Sequence, residues 1–99
     1  MADVIGVFLE DLPVRLAAIE DAVTIRNAAS IRAEAHALKG AAGNVSAVRL
    51  FEAARLLERT ATESHLHDAE AVWRQLSVEA RTVRDVLRAC AASAGASCS

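Results

Sequence analysis

From position 69 to position 90, apolar residues return every three or four places: Ala69, Trp73, Leu76, Ala80, Val83, Leu87 and Cys90. That period sets them on one side of an α-helix and leaves the other side to polar residues. A helix with one apolar face has to bury it against another element. The same period returns in Leu16, Ile19 and Val23, in Ile31, Ala35, Leu38, Ala42 and Val45, and in Leu50, Ala54, Leu57 and Ala61. Breakers are scarce, with one proline and four glycines in 99 residues. Few β-branched clusters and 3% aromatic residues leave little material for strands. The chain is therefore expected to be all-α.

The spacing predicts helices over 3–10, 13–26, 28–43, 47–63 and 68–90. Pro13 suits the first turn of the second helix, where a missing N–H costs nothing. Asn27 reads as a C-terminal cap, and Asp68 as the N-cap of the last helix. Residues 44–46 make a tight turn and 64–67 a short connection. Short connections between long amphipathic helices imply an antiparallel up-down four-helix bundle, with 3–10 as a short N-terminal capping helix. The expected organisation is one domain over 1–92, followed by a small-residue tail, 93–99, that is disordered or begins a linker.

Several functional classes are disfavoured. A formal charge of −2 gives no basic patch of the kind nucleic-acid binders carry. No apolar run is long enough to cross a membrane, and the first residues lack the basic region of a signal peptide. Cys90 and Cys98 lie close together near the C-terminus, where a bridge would close only a small loop. A reduced, cytoplasmic, monomeric protein is expected. His65 and His67, with Cys90 or Cys98, contain donor types for zinc. Helical spacing does not gather them, and no CxxC or HExxH pattern is present, so no metal site is expected.

The stretch Ala35-His36-Ala37-Leu38-Lys39-Gly40-Ala41-Ala42-Gly43-Asn44 is helical in pattern yet carries two glycines. Each costs roughly 1 kcal/mol against alanine in a helix interior. Gly40 and Gly43 follow His36 at i+4 and i+7, on the same face. Lys39 and Arg32 share or flank that face, and Ala29, Ala33 and Ala37 fill the rest. Ile5 or Phe8 of the first helix is expected beside it. A flat, small-residue surface around a histidine makes sense if something large must come close to the imidazole. Gly40 also fits close helix packing, and Gly43 the start of the turn.

The hairpin of the third and fourth helices centres near Ala47. His36 lies eleven residues before that centre and Glu58 eleven after it, so the two should face each other. A partly buried carboxylate beside an apolar stripe needs a partner. Glu58 would accept a hydrogen bond from Nδ1–H of His36, fix the tautomer and leave Nε2 free as a nucleophile. The alternative is a surface carboxylate pairing with Arg55 or Thr62 on its own helix.

The segment from Ala35 through Ala47 closely resembles the signature of the histidine phosphotransfer (HPt) domain family. Its A-H-x-[LI]-K-G core stands ungapped at Ala35-His36-Ala37-Leu38-Lys39-Gly40, and the helix ending Leu56-Leu57-Glu58 follows. The resemblance covers about residues 3–90 in layout. It implies that His36 is the phosphorylated residue, that Lys39 assists with phosphoryl charge and that Gly40 opens access. It also implies that Glu58, at a position holding Gln or Glu in the family, bonds the histidine, as in the phosphotransfer domain of chemotaxis kinases. One departure is Ser46, where the signature usually has glycine. Serine avoids positive φ, so a changed turn, or Ser46 as the cap of the following helix, is expected.

The resulting expectation is a phosphocarrier without a nucleotide site of its own. It would carry a phosphoryl group on His36 between aspartates of response-regulator receiver domains. Those receivers would supply Mg²⁺, and a sensor or hybrid histidine kinase would stand upstream. The alternatives are a module phosphorylated directly by a separate ATP-binding kinase domain, and a helical docking module with no phosphotransfer.

Overall fold

The computed structural model describes residues 4–63 and 65–96, with side chains described as far as Ala89. Four helices follow one another: α1 (Val4–Thr24), α2 (Ala28–Asn44), α3 (Val48–Thr62) and α4 (Leu66–Ala96). Each packs on the next, and α4 closes back onto α1. This is the all-α four-helix bundle that the periodicity predicts, with no strand among the described residues. Leu12, Ile19, Ile31, Leu38, Leu50, Leu57 and Leu76 are fully buried at its centre. Burying each contributes about 1.5–3 kcal/mol.

The N-terminal segment is not a separate capping helix. It runs on as α1, with Pro13 inside it. An internal proline costs about 3 kcal/mol by removing a backbone bond. The apolar stripe overrides that cost, because Phe8, Leu12, Ile19 and Val23 stay in phase across Pro13 and are all buried. A break would take Phe8 and Leu12 out of register with the core, forfeiting roughly twice the single-residue burial gain. Pro13 itself is exposed.

The turns also correct the sequence reading. Asn27 caps the start of α2, accepting from the Ser30 N–H at 3.1 Å, and does not terminate α1. α1 ends in a paired-bond motif: the Arg26 N–H reaches the Val23 carbonyl at 3.1 Å and the Asn27 N–H reaches that of Ala22 at 3.0 Å. Arg26 takes the left-handed conformation this requires, with φ 56°. α2 ends the same way, through Ser46 to Gly43 at 3.2 Å and Ala47 to Ala42 at 2.9 Å. Ser46 does adopt positive φ, 57°. It therefore keeps the glycine-type turn and does not cap α3, whose N-cap is Ala47 with no side-chain bond.

α4 starts two residues before Asp68, which lies in the first turn and is not the cap. At the other end, α4 continues through Ala96 and does not give way to a tail at 93. The alanine-rich run 89–96 has the intrinsic propensity to extend it. Residues 97–99, including Cys98, lie outside the described residues, and Cys90 lies outside the described side chains. No helix among the described residues is long and apolar enough to cross a membrane.

Candidate functional site

The site grows from the α2–α3 hairpin. Ile31, Ala35, Leu38 and Ala42 are buried on the inner face of α2, which turns His36 outward with two-thirds of its side chain exposed. On α3, Leu50, Ala54, Leu57 and Ala61 are buried. Glu58, next to Leu57, stands at the edge of that stripe with only 22% of its side chain exposed. The two helices run antiparallel from the tight turn at 45–47, so residues equidistant from Ala47 come together.

His36 Nδ1 lies 2.8 Å from Glu58 Oε2. The second carboxylate oxygen, Oε1, lies 2.8 Å from Lys39 Nζ. The Lys39 ammonium, hydrogen-bonded to Glu58, holds its carboxyl below the ordinary value of 4.5. Partial burial works against this, and the His36 bond adds to it. An ionised carboxylate only accepts, so Nδ1 must carry the hydrogen. Nε2 is then the nitrogen with the lone pair, on a ring that faces solvent.

The Glu58 carboxylate is not engaged by its own helix. Arg55 pairs with Glu52 at 2.8 Å. Thr62 donates to the backbone carbonyl of Glu58, at 2.9 Å, not to its carboxylate. The Lys39–Glu58 pair was missed in the sequence, although Lys39 stands three residues after His36 and so faces the same opposing residue. Lys39 is directed at the carboxylate behind the imidazole, with 24% of its side chain exposed.

The surrounding surface is small and open. A Cβ on Gly40 would meet nothing within 4 Å, and neither glycine of this helix has positive φ. Neither packing nor backbone geometry within the chain calls for glycine at position 40. At Gly43 a Cβ would touch the Phe51 ring at 3.7 Å, an ordinary contact. Ala29, Ala33 and Arg32 are exposed and Ala37 is half-buried. Arg32 makes no ion pair among the described residues. Phe8 does not belong to this surface: it is 5% exposed and part of the core, because its position on α1 is in phase with Leu12. The exposed apolar residues of that end of α1 are Val4 and Val7. His65 and His67 lie apart from the site, with ring centroids 6.2 Å from each other. Among the described residues no three His, Cys, Asp or Glu side chains gather as a metal ion would require.

The site is thus a solvent-facing imidazole, backed by a carboxylate, on the wall of a helical bundle. The Hpt domain family model matches residues 3–95, and the chain belongs to that family. Hpt domains serve histidine phosphotransfer in phosphorelays and interact with two-component kinases and response regulators. Neither the curated proteins nor the solved structures gave a match.

Proposed function

We propose that His36 accepts a phosphoryl group through Nε2 from the aspartyl phosphate of a receiver domain and returns it to the aspartate of another. The observation that carries this reading is the His36–Glu58–Lys39 chain of contacts, each 2.8 Å long. In the forward step Nε2 forms the N–P bond as the acyl O–P bond of the receiver breaks, leaving a free aspartate carboxylate. The ring keeps its Nδ1 hydrogen and becomes cationic, and the Glu58 carboxylate stabilises that charge. Lys39 occupies the other oxygen of Glu58 and keeps the carboxyl from taking the Nδ1 proton. A phosphoryl group on a cationic ring leaves more readily than one on a neutral ring, so the same contact favours onward transfer. Positioning and charge stabilisation are most of what such a transfer requires. The receiver supplies Mg²⁺ as well as the aspartate.

The partner would dock on the face of Ala29, Ala33, Ala37 and Gly40, with Arg32 and Lys39 at the edge and Gly43 one further turn along. Charges at a rim steer encounter more than they hold a complex. The protein works as a monomer in the cytoplasm. The test is a transfer profile: the protein is offered phosphorylated receivers in one series, and isolated ATP-binding kinase domains with ATP in another. Rapid label transfer from receivers is expected. Label acquired only from kinase domains would make the chain a kinase substrate module, and label from neither would leave a docking bundle.

A further inference from the structure

A phosphoryl group on Nε2 of His36 brings close to two negative charges, on the order of those of other phosphorylated side chains. It arrives on an exposed ring that already has the Glu58 carboxylate behind it. While a receiver is docked, its Mg²⁺ meets that charge. Once the receiver leaves, only this chain and water remain to do so. The cationic side chains of α2 and α3 are Arg32, Lys39, Arg49, Arg55 and Arg59. All but Arg32 are committed to carboxylates. Lys39 holds Glu58 at 2.8 Å and Arg49 holds Glu79 at 3.1 Å. Arg55 holds Glu52 at 2.8 Å and Arg59 lies 3.7 Å from Glu63.

Arg32 is exposed and makes neither a hydrogen bond nor an ion pair among the described residues. Its surroundings explain why. Apart from His36, the residues one turn away on α2 are Ala28, Ala29 and Ala35, none of them an acid. Across the hairpin, the symmetry about Ala47 sets Arg32 opposite Thr62, whose hydroxyl is spent on the Glu58 carbonyl. The next residue, Glu63, is engaged by Arg59 and, at 3.8 Å, by His65. Arg32 stands four residues before His36, the spacing at which oppositely charged helical side chains meet. Helical side chains lean back over the preceding turn, which for His36 is the turn of Arg32 and Ala33. The exposed alanines on either side leave room for a guanidinium to lie along the phosphoryl oxygens, which its planar fork matches.

We propose that Arg32 is the residue of this chain that binds the phosphoryl group on His36, while Lys39 serves the carboxylate behind the ring. Arg32 thus does more than steer an incoming receiver: it holds the phosphoryl group between one receiver and the next. This inference rests on the phosphotransfer reading.

The test removes the receiver, and with it any steering. The protein is labelled by a phosphorylated receiver, separated from it by gel filtration and titrated by ³¹P NMR. A cation beside a phosphoryl group favours its more negative form, so in Arg32→Ala the midpoint should lie higher. The expected rise is about half a pH unit, a roughly threefold effect within the range of an exposed ion pair. The equilibrium between phosphorylated carrier and phosphorylated receiver should move about threefold toward the receiver, with helical circular dichroism unchanged. Arg32→Lys should recover part of both effects. Arg55→Ala removes a charge already paired with Glu52 and should keep the parental midpoint. A parental midpoint in Arg32→Ala, or an equal rise in Arg55→Ala, overturns this inference alone. A parent that takes no label overturns the phosphotransfer reading and this inference with it.

Discussion

Replacing Gly40 with glutamine separates access from packing. The free chain offers the new side chain open space, since a Cβ at that position meets nothing within 4 Å. Removing an interior glycine from a helix gains about 0.5 kcal/mol once glutamine's own lower propensity is allowed for. For a domain of this size that raises the melting temperature by about 2–4 °C. The same side chain stands one turn from His36, with roughly 5–6 Å between the two Cβ positions, and its amide extends over the approach to Nε2. A partner pushed back by about 1 Å loses on the order of 100-fold in rate. Gly40→Gln should therefore melt slightly higher and transfer about 100-fold more slowly, with Gly40→Ala between it and the parent in rate and the most stable of the three. Thermal melts by circular dichroism and label transfer from a phosphorylated receiver read the two effects independently. A variant that is less stable and transfers at full rate would refute the reasoning, because the glycine would then serve helix packing.

Three further outcomes follow from the same geometry. Glu58→Ala should slow transfer about 10–100-fold, as when partners that orient histidines are lost, while far-UV circular dichroism stays unchanged; a parental rate would remove Glu58 from the mechanism. The Glu58 carboxyl is held below 4.5 by Lys39 first and then His36, so its stabilising contribution is present above pH 4.5 and disappears as pH falls through the lowered value. Urea unfolding of parent and Glu58→Gln should differ at neutral pH and converge as the pH falls below the lowered value, and a gap that widens with acid would contradict the pairing. Ser46→Gly should stabilise the chain by up to about 1 kcal/mol by relieving left-handed strain at φ 57°, and a lower melting temperature would show that the serine makes a compensating contact.

Much of the architecture is legible because burial here is periodic. The stripes on α2, α3 and α4 fix which faces pack, and the symmetry of the α2–α3 hairpin about Ala47 brings His36 to Glu58 within 2.8 Å. Reading fails where two local rules compete. Pro13 is both a helix starter and a helix breaker, and only the burial of Phe8 and Leu12 decides that α1 continues through it. Phe8 fits a surface or a core position until α1 is known to be unbroken. Asn27 stands between two helices and suits either end, and its bond to Ser30 assigns it to α2. Ser46 has a local preference against positive φ, but the carbonyls of Ala42 and Gly43 at the end of α2 need partners. Lys39 carries no mark in the sequence that separates a phosphate ligand from a carboxylate partner; its direction depends on the distance between α2 and α3.

The central claim is that the phosphoryl group sits on Nε2 of His36. The direct measurement is ³¹P and ¹⁵N NMR of the chain after incubation with a phosphorylated receiver, beside His36→Gln, His65→Gln and His67→Gln. One acid-labile, base-stable phosphohistidine is expected, substituted at Nε2, retained in the His65 and His67 variants and absent from His36→Gln. Label that persists in His36→Gln, or a phosphoryl group on Nδ1 where the Glu58 bond should be, would contradict it.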